Sequence, residues 1–178
     1  MYPSSIPDVR NDRVNVDSQL SSFFAGTQAR TFYELSIGAG VSVYVRMQRP
    51  VDIIIKSFKL AVNAGQIRLE VYRGATPAGV WSTELPVLPK NETASRPLPL
   101  YVPKSSLQTG GTFSGGTLYD VIDLLTANAT AQQSTVGGEA QSDLGAPKDS
   151  VGYYKFTNPG SGTAKGIFSA WWEELPLA

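Results

Sequence analysis

From residue 30 onward, apolar side chains recur at every second position, and Gly, Pro and Asn interrupt the runs at short intervals. That period describes strands with one buried face. An amphipathic helix would space its apolar positions three and four apart. Thr31, Tyr33, Leu35 and Ile37 alternate with Phe32, Glu34 and Ser36, and Gly38-Ala39-Gly40 makes a turn. Val41, Val43, Val45 and Met47 then share one face, with Ser42, Tyr44 and Arg46 on the other, until Pro50 ends the run.

The next run changes phase. Val51, Ile53 and Ile55 fall on one face of a regular strand, and Phe58, Leu60 and Val62 on the other. One extra residue near Lys56-Ser57, a β-bulge, reconciles the two halves. Asn63-Ala64-Gly65 reads as a tight hairpin turn, after which Ile67, Leu69 and Val71 point inward. Gly74–Gly79 reads as a loop. A weaker strand begins at Val80-Trp81 and stops at Pro86 and Pro89. The run RPLPLYV (96–102) fits only an edge strand or an extended connection. Residues 103–116 read as a Gly/Ser-rich loop. Its TGGTFSGGT motif lacks the Lys-Ser/Thr of a phosphate loop and marks a place where backbones approach closely. Thr117–Leu125 has apolar residues on both faces and is expected at the centre of a sheet. Val151–Thr157 and Ala164–Trp172 complete the set, with a short tail from Glu173.

About eight strands with short turns predict an all-β domain, an antiparallel β-sandwich of jelly-roll-like type. With no Cys in the chain, the Cys–Trp–Cys marks of immunoglobulin domains are missing. Two segments stand apart. Residues 1–29 hold Pro3, Pro7, scattered charges and little apolar periodicity, and read as an extended N-terminal arm with a short helix near Asp17–Phe24. Residues 126–150 are polar, small and aperiodic, and read as a long surface loop within the 30–178 domain.

The chain contains no Cys and no His, and its 15 basic residues balance its 15 acidic ones. No thiol nucleophile, Ser-His-Asp triad, imidazole base or Cys/His metal site can be built from it. The neutral balance argues against a nucleic-acid partner. No apolar run spans a bilayer and the first twenty residues lack a secretory h-region, so neither membrane nor export is expected. Asp120 and Asp123, three apart on a strand, face opposite sides and cannot jointly ligate one ion, and the adjacent Glu173 and Glu174 point opposite ways, which disfavours paired-carboxylate hydrolysis. No enzyme activity, cofactor or metal is expected. Trp81, Tyr154 and Trp172 are candidate interface or sugar-stacking aromatics. Of the pairs Tyr153-Tyr154 and Trp171-Trp172, one member packs in the core and the other faces out.

The segments RTFYELSIGAG (30–40), IRLEVYRGATPAG (67–79), SRPLPLYVP (95–103), TGGTFSGGTLYDVI (109–122) and FTNPGSGTAKGIFSAWWEE (156–174) together resemble small virion structural proteins of tailed bacteriophages, similar to capsid decoration or cement proteins. The resemblance implies a β-sandwich, often a homotrimer, on the outer capsid surface, with the major capsid protein as partner and an arm reaching over neighbouring subunits. On the arm, Arg10 and Arg13 would pair with acidic groups of the capsid protein, and Phe23 and Phe24 would fill a pocket there. The alternative is a carbohydrate-binding, head-fibre or tail module used in host attachment.

Overall fold

The computed structural model describes residues 27–90, 102–125 and 136–175. Among these, every regular element is a strand. They are β1 (Gln28–Ile37), β2 (Ser42–Arg49), β3 (Asp52–Ala64), β4 (Gln66–Arg73), β5 (Thr76–Ala78), β6 (Thr83–Leu85), β7 (Val87–Pro89), β8 (Ser106–Thr109), β9 (Thr112–Ser114), β10 (Thr117–Leu125), β11 (Val136–Ala146), β12 (Ser150–Thr157) and β13 (Ala164–Leu175). All pairings are antiparallel. One sheet has the order β11-β3-β13-β1-β7, a second β10-β4-β12-β2-β8-β6, and a small third sheet joins β5 to β9.

Except for β4 and β10, which are neighbours in the second sheet, successive long strands belong to opposite sheets, so the short turns between them cross the sandwich instead of closing hairpins. Asn63-Ala64-Gly65, expected as a hairpin, carries the chain from β3 in the first sheet to β4 in the second. Gly65 has φ +72°, and a Cβ there would lie 2.9 Å from the Ala164 backbone, so both the turn and the packing require glycine. The turn after β1 is tied to the turn after β12 by Asn158, which is fully buried. Its Nδ2 donates to the carbonyls of Ile37 (2.8 Å) and Gly162 (2.6 Å), and its Oδ1 accepts from the Gly160 amide (2.9 Å).

The inner faces supply one core. Leu35, Ile53, Ile55, Phe58, Leu60, Phe168 and Trp172 come from the first sheet. Val45, Met47, Ile67, Leu69, Tyr154 and Phe156 come from the second. At its centre Phe168 stacks on Phe58 with centroids 6.1 Å apart and meets Tyr154 and Phe156 at 5.6 and 5.1 Å, which joins the sheets through rings.

The bulge falls where the apolar phase changes. Trp171 pairs with Ser57 and Trp172 with Ile55, so Lys56 has no opposite residue on β13. Ile53 and Ile55 before it, and Phe58, Leu60 and Val62 after it, all point into the core.

Several expectations are corrected. The polar segment 126–150 is not one long loop, because residues 136–146 form β11 on the edge of the first sheet. An edge strand needs ladder hydrogen bonds more than apolar side chains, so its polar sequence hides it. Thr117–Leu125 is not central. It pairs with β4 alone among the described residues; Tyr119 and Val121 of its second apolar face are exposed, and so is Leu118, which a bulge before Asp120 separates from the face of Ile122 and Leu124. The segments 74–79 and 103–116, read as loops, contain β5, β8 and β9. The sandwich begins before residue 30, since Thr27, Gln28 and Ala29 are buried and the Thr27 carbonyl accepts from the Glu174 amide at 2.9 Å. The last strand runs on through Leu175, so the expected tail starts too early.

Candidate functional site

On β13 the inward positions are Ala164, Gly166, Phe168, Ala170, Trp172 and Glu174, and the outward ones are Lys165, Ile167, Ser169, Trp171 and Glu173. Antiparallel register extends this alternation into rows across the outer face of the first sheet. One row is Ser57, Trp171, Arg30 and Leu88, the next is Lys59, Ser169 and Phe32, and the one after is Ala61, Ile167 and Glu34. The bulge at Lys56 puts Ser57 into the first of these rows.

A depression of about 480 Å³ lies over the first two rows, lined by Arg30, Phe32, Ser57, Lys59, Ser169 and Trp171 and, from just beyond β7, Lys90. The Lys90 amide donates to the Gln28 carbonyl at 2.8 Å, which fixes the base of that side chain. Its ammonium stands 3.7 Å from the Trp171 ring centroid, a cation–π contact. Burial, and secondarily the charge of Arg30, hold the Lys90 ammonium below the ordinary lysine range. Phe32 is 47% exposed and Ser57 is buried at the floor. The depression is thus lined by Arg30 of β1, Lys59 of β3 and Lys90 after β7, with two aromatic rings and two serine hydroxyls, and Glu139 of β11 is the cross-strand partner of Lys59.

The outer face of the second sheet is covered differently. Phe113, on the small third sheet, packs on Tyr44, Tyr72 and Tyr153 with centroids 5.3, 5.2 and 5.0 Å away. Trp81 closes the cluster beside Tyr153, with the Arg46 guanidinium 5.1 Å from its ring. Arg46 is held in turn by Gln108 Oε1, at 2.8 Å from Nε and 2.6 Å from Nη2. Gly111 makes room for this tryptophan, since a Cβ there would come within 2.3 Å of the ring. The TGGTFSGGT motif is therefore a place of close approach, as its composition suggests.

The candidate aromatics named from sequence are not on the surface. Trp172 and Tyr154 are 1% exposed in the main core and Trp81 is 8% exposed in the satellite cluster, so none can stack on a ligand. One member of the tryptophan pair does face out, but it is Trp171. The signal was in β13 itself: Lys165, Ser169 and Glu173 share the parity of Trp171. Of the tyrosine pair both members are buried, because the third sheet covers Tyr153. Arg10, Arg13, Phe23 and Phe24 lie outside the described residues, as does the expected helix at 17–24.

The carboxylates are used structurally. Glu174, fully buried, accepts from the backbone amides of Lys104 and Ser105, both at 2.8 Å, and from the Trp172 indole at 3.2 Å. Glu173 faces out and meets Lys56 at 3.8 Å. Asp123 accepts from Gln66 Nε2 at 3.1 Å and Asp120 from the Val121 amide at 2.8 Å. Among the described residues no three acidic side chains gather as a metal site. Comparison with family models, with curated proteins and with solved structures returns no match.

Proposed function

We propose that the protein is a structural virion component that binds and stabilises the outer surface of a capsid, with the β-sandwich as its body and the N-terminal segment as its clamp. The observation that carries this reading is the apolar edge of the second sheet. Leu118, Tyr119 and Val121 on β10 are 47, 44 and 39% exposed, although Asp120, Asp123 and a bulge between Leu118 and Asp120 limit further strand pairing, so what the edge offers is apolar side chains. Such an edge suits a permanent neighbour, and in this reading the neighbour is another copy in a homotrimer. The strand order adds support. The eight long strands run β11-β3-β13-β1 in one sheet and β10-β4-β12-β2 in the other, an order that supports the jelly-roll reading, an architecture found in viral capsid and lectin domains. The resemblance to phage decoration proteins supports the same assignment, with Arg10, Arg13, Phe23 and Phe24 as the capsid-binding groups.

The test uses the full-length protein and empty shells of the cognate major capsid protein. Co-sedimentation with shells is expected, with binding weakened at least about tenfold when Phe23 and Phe24 are both replaced by Ser. Light scattering should give a trimer that Val121→Lys converts to monomers. A protein that stays in the supernatant whatever the shell concentration would sink the capsid reading. A trimer indifferent to Val121→Lys would remove the role given to β10.

A further inference from the structure

We propose that a small cavity at one end of the core, lined by Arg49 and Arg73, is a binding site for a monatomic anion, chloride. The site is independent of the capsid reading. Arg49 ends β2 on the parity of Val45 and Met47, and Arg73 ends β4 on the parity of Ile67, Leu69 and Val71, so both point inward. Gly152 of β12 is the cross-strand partner of both Met47 and Arg73, and a Cβ there would overlap Arg49 Nη2. The sheet thus gives up a side chain where the guanidinium lies. Arg49 is 3% exposed. Its Nη1 donates to Ser150 Oγ at 3.2 Å, and its buried Nε has no hydrogen-bond partner among the described residues. Nor does an ion pair join Arg49 or Arg73 to a carboxylate among those residues. Arginine does not shed its proton, so burial leaves it charged, and a buried charge is costly without a counter-charge. Arg73 lies on Tyr119, 4.0 Å from the ring centroid. Both cations act on the same spot. Burial raises the Tyr154 phenol, and the charge of Arg49, a hydrogen bond from Arg49 and the charge of Arg73 oppose that rise.

The rest of the lining selects the occupant. Asp120 is its carboxylate, and Asp120 Oδ1 accepts from the Val121 amide at 2.8 Å. Two arginines against one aspartate leave a single positive charge, which one monovalent anion balances. A water molecule would satisfy Nε and leave that charge as it is. The volume, about 10 Å³, is that of one small particle, so sulfate, phosphate and organic acids do not fit. Ile55, Phe58 and Val71 supply apolar wall, and beside such a wall an anion is held more strongly than in water. Glu174, also buried, does not line the cavity and is held by the Lys104 and Ser105 amides.

Thermal melting of the full-length protein in sodium chloride, bromide or sulfate at matched ionic strength is the test. Chloride and bromide should each raise the melting temperature about 3 °C or more above that in sulfate, saturably, with half the effect below about 50 mM. The general salt trend runs the other way, since sulfate strengthens apolar burial. In the unmodified protein the Arg49 Nε–H resonance should shift along the same chloride titration, which decides the case if a variant loses its fold. Arg49→Met and Arg73→Gln should each raise the half-saturating chloride concentration about fivefold or more. Asp120→Asn removes the competing negative charge and should lower it about threefold or more. Equal melting temperatures in chloride and sulfate would overturn the proposal and assign the cavity to water. A chloride effect that persists undiminished in Arg49→Met, or an Arg49 Nε–H resonance indifferent to chloride, would overturn it equally. So would Asp120→Asn without tighter chloride binding, which would make Asp120 a sufficient counter-charge for both arginines.

Discussion

Single buried polar side chains hold the corners of this sandwich. Asn158 joins the ends of two strand pairs, and its replacement by Ala leaves the Ile37 and Gly162 carbonyls and the Gly160 amide without that partner. The expected loss is about 2–4 kcal/mol, read from urea denaturation. Glu174 does the same for the chain at Lys104 and Ser105, a role that nothing in its sequence neighbourhood announces. Tyr154 and Lys155 govern the alkaline limit. Burial raises the Tyr154 phenol, opposed by the charge of Arg49, and a hydrogen bond to Glu70 at 3.0 Å raises the Lys155 ammonium. A group raised by folding contributes its full stability below its ordinary value and loses it as pH climbs through the higher, folded-state value. Lys90, lowered by burial, acts in the opposite sense. Burial raises the Tyr33 and Tyr153 phenols too. With four groups against one, the urea midpoint should fall above about pH 10, and Tyr154→Phe should flatten that fall.

Elements show where sequence reading succeeds and where it stops. Alternation located most of the long strands, and the phase change at Lys56 located the bulge, because each strand face meets a different solvent. Lys56 is opposed by no residue of β13, so its deletion would leave Ile55 inward, Ser57 outward and Phe58 inward. A chain lacking Lys56 should therefore fold, whereas one lacking Ala61 should not, because its loss turns one half of β3 inside out. Circular dichroism and thermal melting of the two deletions would check this. Sheet membership was not legible, since a turn such as Asn63-Ala64-Gly65 looks alike whether it closes a hairpin or crosses between sheets. Nor was β11, whose polar sequence shows no apolar alternation and records nothing of its hydrogen bonds. The candidate site was half legible. Arg30, Phe32 and Trp171 lie on strands that were expected, but only the register brings them beside Lys59, and only the fold brings Lys90 to them.

Across the whole molecule, the N-terminal boundary of the sandwich has a measurable position. Ala29 is fully buried and the Thr27 carbonyl accepts from Glu174, next to Glu173, the cross-strand partner of Gln28. A protein starting at residue 30 should therefore melt several degrees below one starting at residue 27. Differential scanning calorimetry of the two truncations would test it, and equal melting temperatures would return the boundary to residue 30.

The place of β13 in the first sheet bears on how the protein is made. It lies between β3 and β1, so the latest of the described strands along the chain is a centrepiece of that sheet. A growing chain that has not yet reached residues 164–175 gives β1 and β3 no common neighbour. The first sheet therefore cannot nucleate from its N-terminal strands alone, and its closure waits on pairings of high sequence separation, such as β1 with β13, which are slow to form.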